Sequence, residues 1–513
     1  MKKIFVLLVL VLIFIEGYSQ NYLNIRYELD SIHQIPHTSF YSFQEKNDTL
    51  YIIGERKENI NNIFFYRSFL LMLDDLGNII RYAETDYFVR YGSLIFTFNN
   101  NLAFAGSNYQ GNLTLFNYST QLDSLWVKYL NFSTPNVNLE GRNLIETSDN
   151  HFVILGKQYD YNNGTSKEYV IKTDSLGNEI WRRDYIMPSG QGYWTTPNVI
   201  FETNDSNYMA LQTIRRDSPS FSLYEEQTSI EKIDTSGNKL WEYKTDNNRL
   251  IVANDGLPTD DDGLIFCGTE GQKVWAGVFY QGHIRKINSS RQVEWEMTIG
   301  NSEGSYFHDI EKLADGNYLA SGIDILTYPD TALVNYSDSI HEAGWLLKFT
   351  PNGTILWERH FMKTYGIPMA HIINETHELS NGDLISVGHM FTTLSTHAGY
   401  WGWLIRTDSF GCIVPDCQLL DNTENISVIF DNEVTVFPNP ASEMVKFRFE
   451  KPIEGQTEIR IYSGLGQLVG QTALPLPQTE TEMNVSDWNN GMYYYGVYIE
   501  GQLVKQGQIL IQN

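Results

Sequence analysis

The chain has 513 residues, and its 36 Lys and Arg against 62 Asp and Glu give a net charge of −26. Such a charge repels phosphate backbones and anionic membrane surfaces, so we expect no nucleic-acid partner. The length exceeds one ordinary core, and an aromatic content of 14% with 39 glycines favours β-structure punctuated by turns.

The first element is an export signal. Two lysines precede an apolar run over residues 4–15, and small and polar residues follow at 17–19. This pattern predicts a cleaved signal peptide over residues 1–19. The run is too short to cross a bilayer, which takes roughly 20 apolar residues. No later segment is longer and the predicted cut does not precede a cysteine, so we expect no transmembrane segment and no lipid anchor.

Residues 20–411 repeat one unit seven times, most clearly as DGNYLASG over residues 315–322. A second unit follows it, as in YVIKTDSLGNEIW, which ends at Trp181, and SIEKIDTSGNKLW, which ends at Trp241. Asp174 can bond backbone amides in the turn of this unit while Gly177 takes a positive φ. We therefore interpret these Asp, Gly and Trp residues as structural. The copies of the first unit end at Gly54, Gly106, Gly156, Gln212, Gly268, Gly322 and Gly388.

Each period then holds four strands: A before the DG turn, B after it, C before the GN turn and D with the tryptophan. Four short strands per repeat of roughly 40 to 60 residues are typical of a β-propeller blade. The seventh copy has no D strand, because the chain turns at Gly411. Residues 21–29 are strand-like and can supply it, which would close the ring and cover two sheet edges. The prediction is an all-β, seven-bladed β-propeller over residues 20–411, and its repeat resembles those of secreted Bacteroidetes-type propeller proteins.

This strand order places the tight A–B and C–D turns on one face and the longer B–C and D–A connections on the other. We expect long connections at 213–227, 269–281, 323–344 and 389–401, and binding usually resides on such loops. Two aromatic residues, Trp345 and Trp403, open C strands and are expected to pack between blades. The candidate ligand-binding residues of the loop-rich face are Tyr193, Trp194, Trp275, Tyr280, Tyr400 and Trp401.

Two of the three cysteines, Cys412 and Cys417, lie close together in the turn-like GCIVPDC. In an oxidised, exported protein this spacing favours a local disulfide, with two free thiols as the alternative. A zinc site would need a second pair, which the sequence lacks. Cys267 lies in the apolar stretch GLIFCG and is interpreted as a buried strand residue.

Catalytic signatures are scarce: there is no G-x-S-x-G, no H-E-x-x-H, no P-loop and no G-x-G-x-x-G that opens a helix. TDDDG at 259–263 lacks EF-hand spacing and is interpreted as a solvated turn. Histidines 308, 371, 389 and 397 fall near the loop-rich face, but their spacing dictates no metal geometry. We therefore predict no metal and no cofactor, and the catalytic residues of any enzyme activity stay unknown.

After a linker over 412–433, residues 434–513 alternate apolar and polar side chains at period two, with prolines and glycines at the turns. A small antiparallel β-sandwich is expected. The segment resembles the C-terminal type A sorting domain of the type IX secretion system, which implies handling by that machinery and a secreted or surface-attached product, delivered through the periplasm. The residues that carry the resemblance are Phe437, Pro438, Asn439, Pro440, Ala441, Tyr462, Gly466, Trp488, Gly491, Tyr493 and Lys505.

Three functions fit this organisation. The first is a non-catalytic binding or adhesion propeller that recognises a glycan or a protein through its loop-rich face. The second is a secreted hydrolase or lyase acting on polysaccharide, with two acids converging at the central channel. A structural coat protein, which needs no pocket, is the third. Converging carboxylates would favour the enzyme, and a shallow aromatic face the binding module.

Overall fold

The computed structural model describes all regular elements as β-strands, with no helix among the residues it places. The strands form nine antiparallel sheets. The described residues are 23–27, 37–60, 63–85, 93–107, 112–130, 137–160, 165–185, 193–217, 224–246, 249–274, 277–301, 304–327, 340–362, 370–392, 399–413, 434–449, 457–463, 468–474, 479–499 and 502–512.

Six blades are four-stranded sheets made from consecutive strands. Blade 1 comprises β2 (Thr38–Lys46), β3 (Thr49–Ile60), β4 (Ile63–Leu73) and β5 (Ile79–Thr85). Blade 2 comprises β6 (Leu94–Phe96), β7 (Leu102–Ser107), β8 (Leu113–Tyr118) and β9 (Ser124–Leu130). Blade 3 comprises β10 (Val137–Glu146), β11 (Phe152–Asp160), β12 (Thr165–Thr173) and β13 (Glu179–Tyr185).

The remaining blades follow the same order from the inner strand outwards. Blade 4 comprises β14 (Tyr193–Glu202), β15 (Tyr208–Asp217), β16 (Tyr224–Ile233) and β17 (Lys239–Lys244). Blade 5 comprises β18 (Leu250–Pro258), β19 (Leu264–Val274), β20 (Gly277–Ile287) and β21 (Val293–Ile299). Blade 6 comprises β22 (Tyr306–Lys312), β23 (Tyr318–Thr327), β24 (Ile340–Phe349) and β25 (Ile355–Phe361).

Blade 7 joins the two ends of the propeller. Its sheet has the order β1 (Leu23–Tyr27), β28 (Gly399–Thr407), β27 (Leu384–Thr392) and β26 (Ala370–Glu378). The N-terminal strand is antiparallel to β28, with Ile25 opposite Leu404. The Trp403 indole donates to Asn24 Oδ1 at 2.8 Å, and Tyr27 Oη donates to the carbonyl of Gly77 in blade 1 at 2.6 Å. The predicted seven blades are confirmed, and the predicted closure is confirmed for residues 23–27, the described part of 21–29.

The first strands of the seven blades contact one another in a ring around the central channel. In six of the blades this strand, or the residue just before it, places a polar side chain that accepts a hydrogen bond from a backbone amide of the next blade. Blade 4 has Val199 at this position, and there Asn198 donates instead to the carbonyl of Ala253 in blade 5. The six pairs are Ser42 with Leu94, Ser93 with Leu144, Asn143 with Ile200, Asp255 with Ile310, Asp309 with Thr376 and Glu375 with Phe43.

The outer strands connect blades through tryptophan and glycine. Asp174 Oδ1 accepts the amides of Leu176 and Asn178 at 2.9 and 2.8 Å, which fixes the predicted turn. Trp181 of blade 3 lies against Gly237 in the corresponding turn of blade 4, where φ is +83° and a Cβ would come within 3.0 Å of the ring. Each such glycine therefore meets two demands, a positive φ and room for the indole of the preceding blade. The same contact joins Trp126 to Gly177, Trp295 to Gly353 and Trp357 to Gly411.

The glycine that ends the first repeat unit makes room for an aromatic ring of the C strand. A Cβ at Gly156 would lie 2.2 Å from Tyr169 Oη, and one at Gly54 would lie 2.5 Å from the ring of Phe69. Blade 4 departs from this pairing, because Gln212 stands opposite Ser229. Blade 3 lies against blade 4 here and contributes the fully buried Glu168, whose two carboxyl oxygens have no hydrogen-bond partner among the described residues.

The connections of the loop-rich face are shorter than the sequence predicts. Residues 269–281 were expected to form a long loop, but strands β19 and β20 run through them and pair as far as Val274 with Gly277. Strands β15, β23 and β27 likewise extend to Asp217, Thr327 and Thr392. Backbone pairing continues past the apolar repeat because ladder hydrogen bonds do not depend on which side chains are present. The predicted loops at 213–227, 323–344 and 389–401 are corrected only at their ends, because residues 218–223, 328–339 and 393–398 lie outside the described residues.

The C-terminal segment forms two further sheets. One has the order β29 (Val434–Phe437), β30 (Met444–Phe449), β33 (Glu480–Asn484), and the other has β32 (Leu468–Ala473), β31 (Thr457–Tyr462), β34 (Gly491–Ile499), β35 (Gln502–Ile511). Both contribute to one apolar core that includes Val445, Phe447, Ile459 and Val497. This is the expected small antiparallel β-sandwich.

Candidate functional site at the channel mouth

Three of the six predicted ligand-binding residues have described side chains. Tyr193 and Trp194 begin β14, but their side chains lie outside the described set, and so does Trp275. Tyr280 is half-buried in blade 5, and its hydroxyl donates to Glu226 Oε2 at 3.2 Å. Tyr280 therefore lies apart from blades 7 and 1, where four half-buried rings contact one another.

Trp401 lies in the core between blades 6 and 7. It is 6% exposed and packs in a cluster with Phe361, Ile373 and Met390, while the Arg26 guanidinium covers its ring at 5.2 Å. Trp345 and Trp403 are fully buried in mid-strand, which confirms them as packing residues although they do not open their strands.

Tyr400 belongs to a line of rings on the loop-rich face, where blade 7 meets blade 1. Its ring stacks on Phe391 at 5.1 Å and lies 4.5 Å from the imidazole of His37, which meets the ring of Tyr66 edge-on at 5.6 Å. All four side chains are half-buried, so each keeps part of its ring in contact with solvent. We call Tyr66, His37, Tyr400 and Phe391 the mouth arc. Only Tyr400 of these was selected from the sequence.

A buried carboxyl lies beside the mouth arc. Glu55 is 1% exposed, its Oε1 accepts a hydrogen bond from Tyr41 Oη at 3.1 Å, and His37 Nε2 is 3.5 Å from the same oxygen. The second oxygen, Oε2, has no hydrogen-bond partner among the described residues. A buried acceptor without a donor costs about 1–3 kcal/mol.

Two histidines near the arc are neutral. Burial, with His308 and His37 nearby, lowers the pKa of His389 to about 3. Burial also lowers the pKa of His308. The ring of His389 lies 5.9 Å from Tyr400, and that of His308 lies 4.9 Å from Tyr306. Sequence placed both histidines near this face, but only the strand register brings them together.

Three carboxylates of the inner strands of blades 5, 6 and 7 lie near one another: Asp255, Asp309 and Glu375. Asp309 lies within hydrogen-bonding reach of Asp255, and burial together with the charge of Glu375 raises the pKa of Asp255 to about 6. Burial, together with the charges of Asp255 and Glu375, holds the pKa of Asp309 well above its usual value. Negative charges that lie near one another disfavour ionisation, so a carboxyl in this group holds its proton to a higher pH than a solvated carboxyl does.

His377 balances part of this charge. Its Nε2 lies 3.2 Å from Glu375 Oε1 and its Nδ1 lies 3.5 Å from Glu311 Oε2. Burial by itself lowers the pKa of His377, but these carboxylates outweigh burial and hold the pKa well above its usual value. Within the described ranges, no group of three or more His, Cys, Asp or Glu side chains has the geometry to hold a metal ion.

One conspicuous arrangement in blade 6 is structural. Asp324 accepts hydrogen bonds from Ser305 Oγ and the amide of Asn301, and its other oxygen lies 2.8 Å from His360 Nε2. Here the carboxylate stands between serine and histidine, so the imidazole cannot take the serine proton as it does in a catalytic triad. Burial opposes ionisation, but the bonds from His360 and Ser305 lower the pKa of Asp324 overall.

The sorting-domain residues have structural partners. The Asn439 side chain pairs with the last strand like a backbone unit, donating to the carbonyl of Gln508 at 3.2 Å and accepting from the amide of Leu510 at 2.8 Å. Ala441 is fully buried and continues this pairing. The Arg448 guanidinium covers the ring of Phe437, Tyr462 and Tyr498 share a hydrogen bond between their hydroxyls, and the ring of Trp488 packs against Tyr493, which follows Gly491. Lys505 is exposed, and Gly466 lies outside the described residues.

Cys412 is disulfide-bonded, and Cys267 is a free, buried thiol. Burial raises the pKa of Cys267 well above its usual value, so this thiol is unreactive at neutral pH. The predicted partner of Cys412, Cys417, lies outside the described residues, as do the predicted signal peptide and His397. The described part of the chain contains no helix of the length and apolarity that a membrane span needs.

Residues 435–512 match the family described as secretion system C-terminal sorting domain. No curated protein matches the chain. Similar solved structures include an α-L-arabinanase of Penicillium chrysogenum complexed with arabinobiose, at 12% identity, TM-score 0.40, over 59% of this chain and 92% of that one. A second is a protein of unknown function from Dyadobacter fermentans, at 9% identity and TM-score 0.39, over 75% of this chain and 99% of that one. A third is the β-propeller domain of the Trilobed protease from Pyrococcus furiosus, at 10% identity and TM-score 0.37, over 71% of this chain and 93% of that one. With the sorting domain at its end, the propeller is exported by type IX secretion to the cell surface or the extracellular space.

Proposed function

We propose that this exported β-propeller protein is a non-catalytic binding or adhesion module, and that its ligand, a glycan or a protein, docks on the loop-rich face at the mouth arc. The arc itself is the observation that supports this most: four rings from blades 7 and 1 contact one another and remain half-exposed. Aromatic side chains with a few convergent polar groups, held on a rigid scaffold beside loops, are typical of ligand sites.

The channel carboxylates do not require catalysis to explain them. Asp255, Asp309 and Glu375 each accept a backbone amide of the next blade, at 3.0, 2.9 and 2.7 Å. Ser42 and Asn143 make the same bond in blades 1 and 3 without any charge. The acids therefore take part in closing the ring, and their raised pKa values follow from burial next to one another.

The test is to incubate the mature protein with mixed polysaccharides and proteins, and to identify retained and released material by mass spectrometry. We expect intact ligand to be retained by the wild type and lost in Tyr400→Ala and in Tyr66→Ala. Tyr129→Ala is the control, because Tyr129 is an exposed tyrosine on the outer strand of blade 2. Equal retention by all four proteins would place the ligand away from the arc.

A secreted hydrolase or lyase acting on polysaccharide is the second candidate. The observation that favours it is the pair Asp255 and Asp309, since neighbouring carboxyls with raised pKa values can act as general acid and base. In the same experiment this candidate predicts released fragments that disappear in Asp309→Asn. That variant keeps an acceptor for the Thr376 amide, so loss of fragments with an unchanged melting temperature would establish catalysis.

A further inference from the structure

The hydrogen-bond partners of His308 and His389 define which ring nitrogen carries the proton in each. His308 Nδ1 lies 2.8 Å from the carbonyl oxygen of Ile373 in blade 7. A carbonyl oxygen only accepts, so Nδ1 carries the proton, and in this neutral ring Nε2 is a bare acceptor.

His389 has the opposite tautomer. The Asn374 Nδ2 donates to the carbonyl of Phe40 at 2.5 Å, which identifies it as the amide nitrogen, and the same nitrogen lies 3.3 Å from His389 Nδ1. An amide nitrogen only donates, so His389 Nδ1 is the acceptor. The neutral ring then carries its proton on Nε2, which is a donor.

The two imidazoles contact the same stretch of β26 through their Nδ1 atoms, which leaves both Nε2 atoms for other partners. Both imidazoles are half-buried, and neither Nε2 has a hydrogen-bond partner among the described residues. His308 contacts the carbonyl of Ile373 and His389 contacts the side chain of Asn374, the next residue of β26, so the two rings lie near each other. Tyr306 flanks His308, while Phe391 and Tyr400 flank His389.

We propose that the acceptor His308 Nε2 and the donor His389 Nε2–H form a complementary pair that binds the hydroxyl groups of a neutral sugar, so that the ligand is a glycan. A sugar hydroxyl donates one hydrogen bond and accepts another, which matches one bare and one protonated imidazole nitrogen. The flanking rings supply apolar surface for the C–H face of a pyranose. A charged ligand has no counterpart in this pair, because neither imidazole carries charge at neutral pH. This inference rests on the proposed binding function and names its ligand class.

The propeller itself supplies a conservative variant. Blades 4, 5 and 7 have asparagine where blade 6 has His308, and those side chains, Asn198, Asn254 and Asn374, donate to the next blade's carbonyl in the same way. His308→Asn therefore keeps the link between blades and removes only the Nε2 acceptor. His389→Phe keeps a ring and removes the donor. His151→Phe, on the tight-turn side of blade 3, is the matched control.

The experiment applies the mature protein to an array of neutral and charged glycans and measures the affinity for retained neutral oligosaccharides by calorimetry. We expect at least tenfold weaker binding in His308→Asn and in His389→Phe, less than additive loss in the double variant, and no change in His151→Phe. Nitrogen NMR at neutral pH should show the two opposite tautomers.

Three results would overturn the proposal. They are retention of no neutral glycan, neutral-glycan binding that survives both variants, and equal tautomers for the two rings. If a protein or a charged glycan binds instead and Tyr400→Ala abolishes it, the binding function stands while the sugar assignment fails. If nothing is retained from any class, the binding function fails as well.

Discussion

The carboxylate of Glu375 in blade 7 accepts a hydrogen bond from the backbone amide of Phe43 in blade 1 at 2.7 Å, across 332 residues of sequence. Asn374 reaches the carbonyl of Phe40 across the same junction. Blades 7 and 1 are thus joined on their inner strands by the same kind of bond that joins neighbours elsewhere in the ring. The outer strand β1 completes the closure and buries Tyr27 against the core of blade 1.

Deleting residues 21–29 should lower the melting temperature of the propeller sharply. The loss of β1 leaves the edge of β28 unpaired and exposes part of this core to solvent. Tyr27→Phe is the milder variant, since it removes only the hydroxyl that donates to Gly77. We expect it to cost about 1 kcal/mol of unfolding free energy. Calorimetry of both variants measures the effect, and an unchanged melt after deletion would disprove the closure.

Gly237→Ala and Gly316→Ala separate two reasons for glycine in a turn. Both residues have φ of +83°, but a Cβ would press on Trp181 and Arg183 at Gly237 and meets nothing within 4 Å at Gly316. Gly316→Ala should cost about 1–2 kcal/mol for the left-handed conformation alone. Gly237→Ala should cost roughly 1 kcal/mol more from the clash. Equal losses in urea denaturation would show that the indole contact carries no energy.

Glu168→Gln should stabilise the protein in a pH-dependent way. Burial and the nearby Glu231 raise the pKa of Glu168 well above its ordinary value of 4.5, so the folded protein holds a proton that the unfolded chain releases as pH rises. Wild-type stability therefore falls as pH climbs through this window, by up to about 1.4 kcal/mol per pH unit, and the variant avoids this loss.

Urea denaturation at several pH values measures this difference. The two proteins should have equal stability below pH 4.5, and the difference in stability should widen as the pH rises above that value. Glu294→Gln is the control, because Glu294 is an exposed carboxyl paired with Lys286, and such pairs contribute only about 0–1 kcal/mol. A gap that is constant with pH would mean that Glu168 is ionised in the folded protein.

Asn439→Ala should loosen the last strand of the sorting domain, because its side chain makes two hydrogen bonds to the backbone of β35. Amide exchange of Leu510 in the full chain should become faster, by roughly tenfold for a loss of about 1–2 kcal/mol. Gln508→Ala is the control, since Gln508 contributes only its backbone carbonyl to this contact. Unchanged exchange in Asn439→Ala would show that the neighbouring pairing of Ala441 is sufficient.

Removing residues 434–513 should leave a folded propeller inside the cell, because the sorting domain directs export. Cell fractionation followed by immunoblotting measures how much of the truncated protein stays inside the cell and how much is released. Normal release of the truncated protein would contradict the assignment of an address function to this domain.

The fold was accessible from the sequence because its repeat is local. Asp174, Gly177 and Trp181 fall at fixed spacing, and each reports a turn and a packed strand that need no information from the rest of the chain. The missing outer strand of the seventh repeat predicted the closure for the same reason. The long loops were overestimated, because side-chain alternation stops before backbone pairing does, as between Val274 and Gly277.

The site was only partly accessible. The sequence predicted both Tyr400 and Trp401 as ligand-binding residues. They lie on opposite faces of β28, so Tyr400 is half-buried at the arc while Trp401 is buried in the core. His37, Tyr66 and Phe391 gave no signal, because single aromatic residues in strands are common and their meeting depends on which blades adjoin.

Sequence by itself determined the sorting domain, the number of blades and the turn chemistry, since all of these depend on spacings of a few residues. Tertiary structure alone decided the mouth arc, the raised pKa values of Asp255 and Asp309, and the hydrogen-bond partners of His308 and His389. Those properties depend on partners from different blades, such as the carbonyl of Ile373 and the amide of Asn374. Strand register and bulges around the ring set such contacts, and no local pattern in the sequence encodes them.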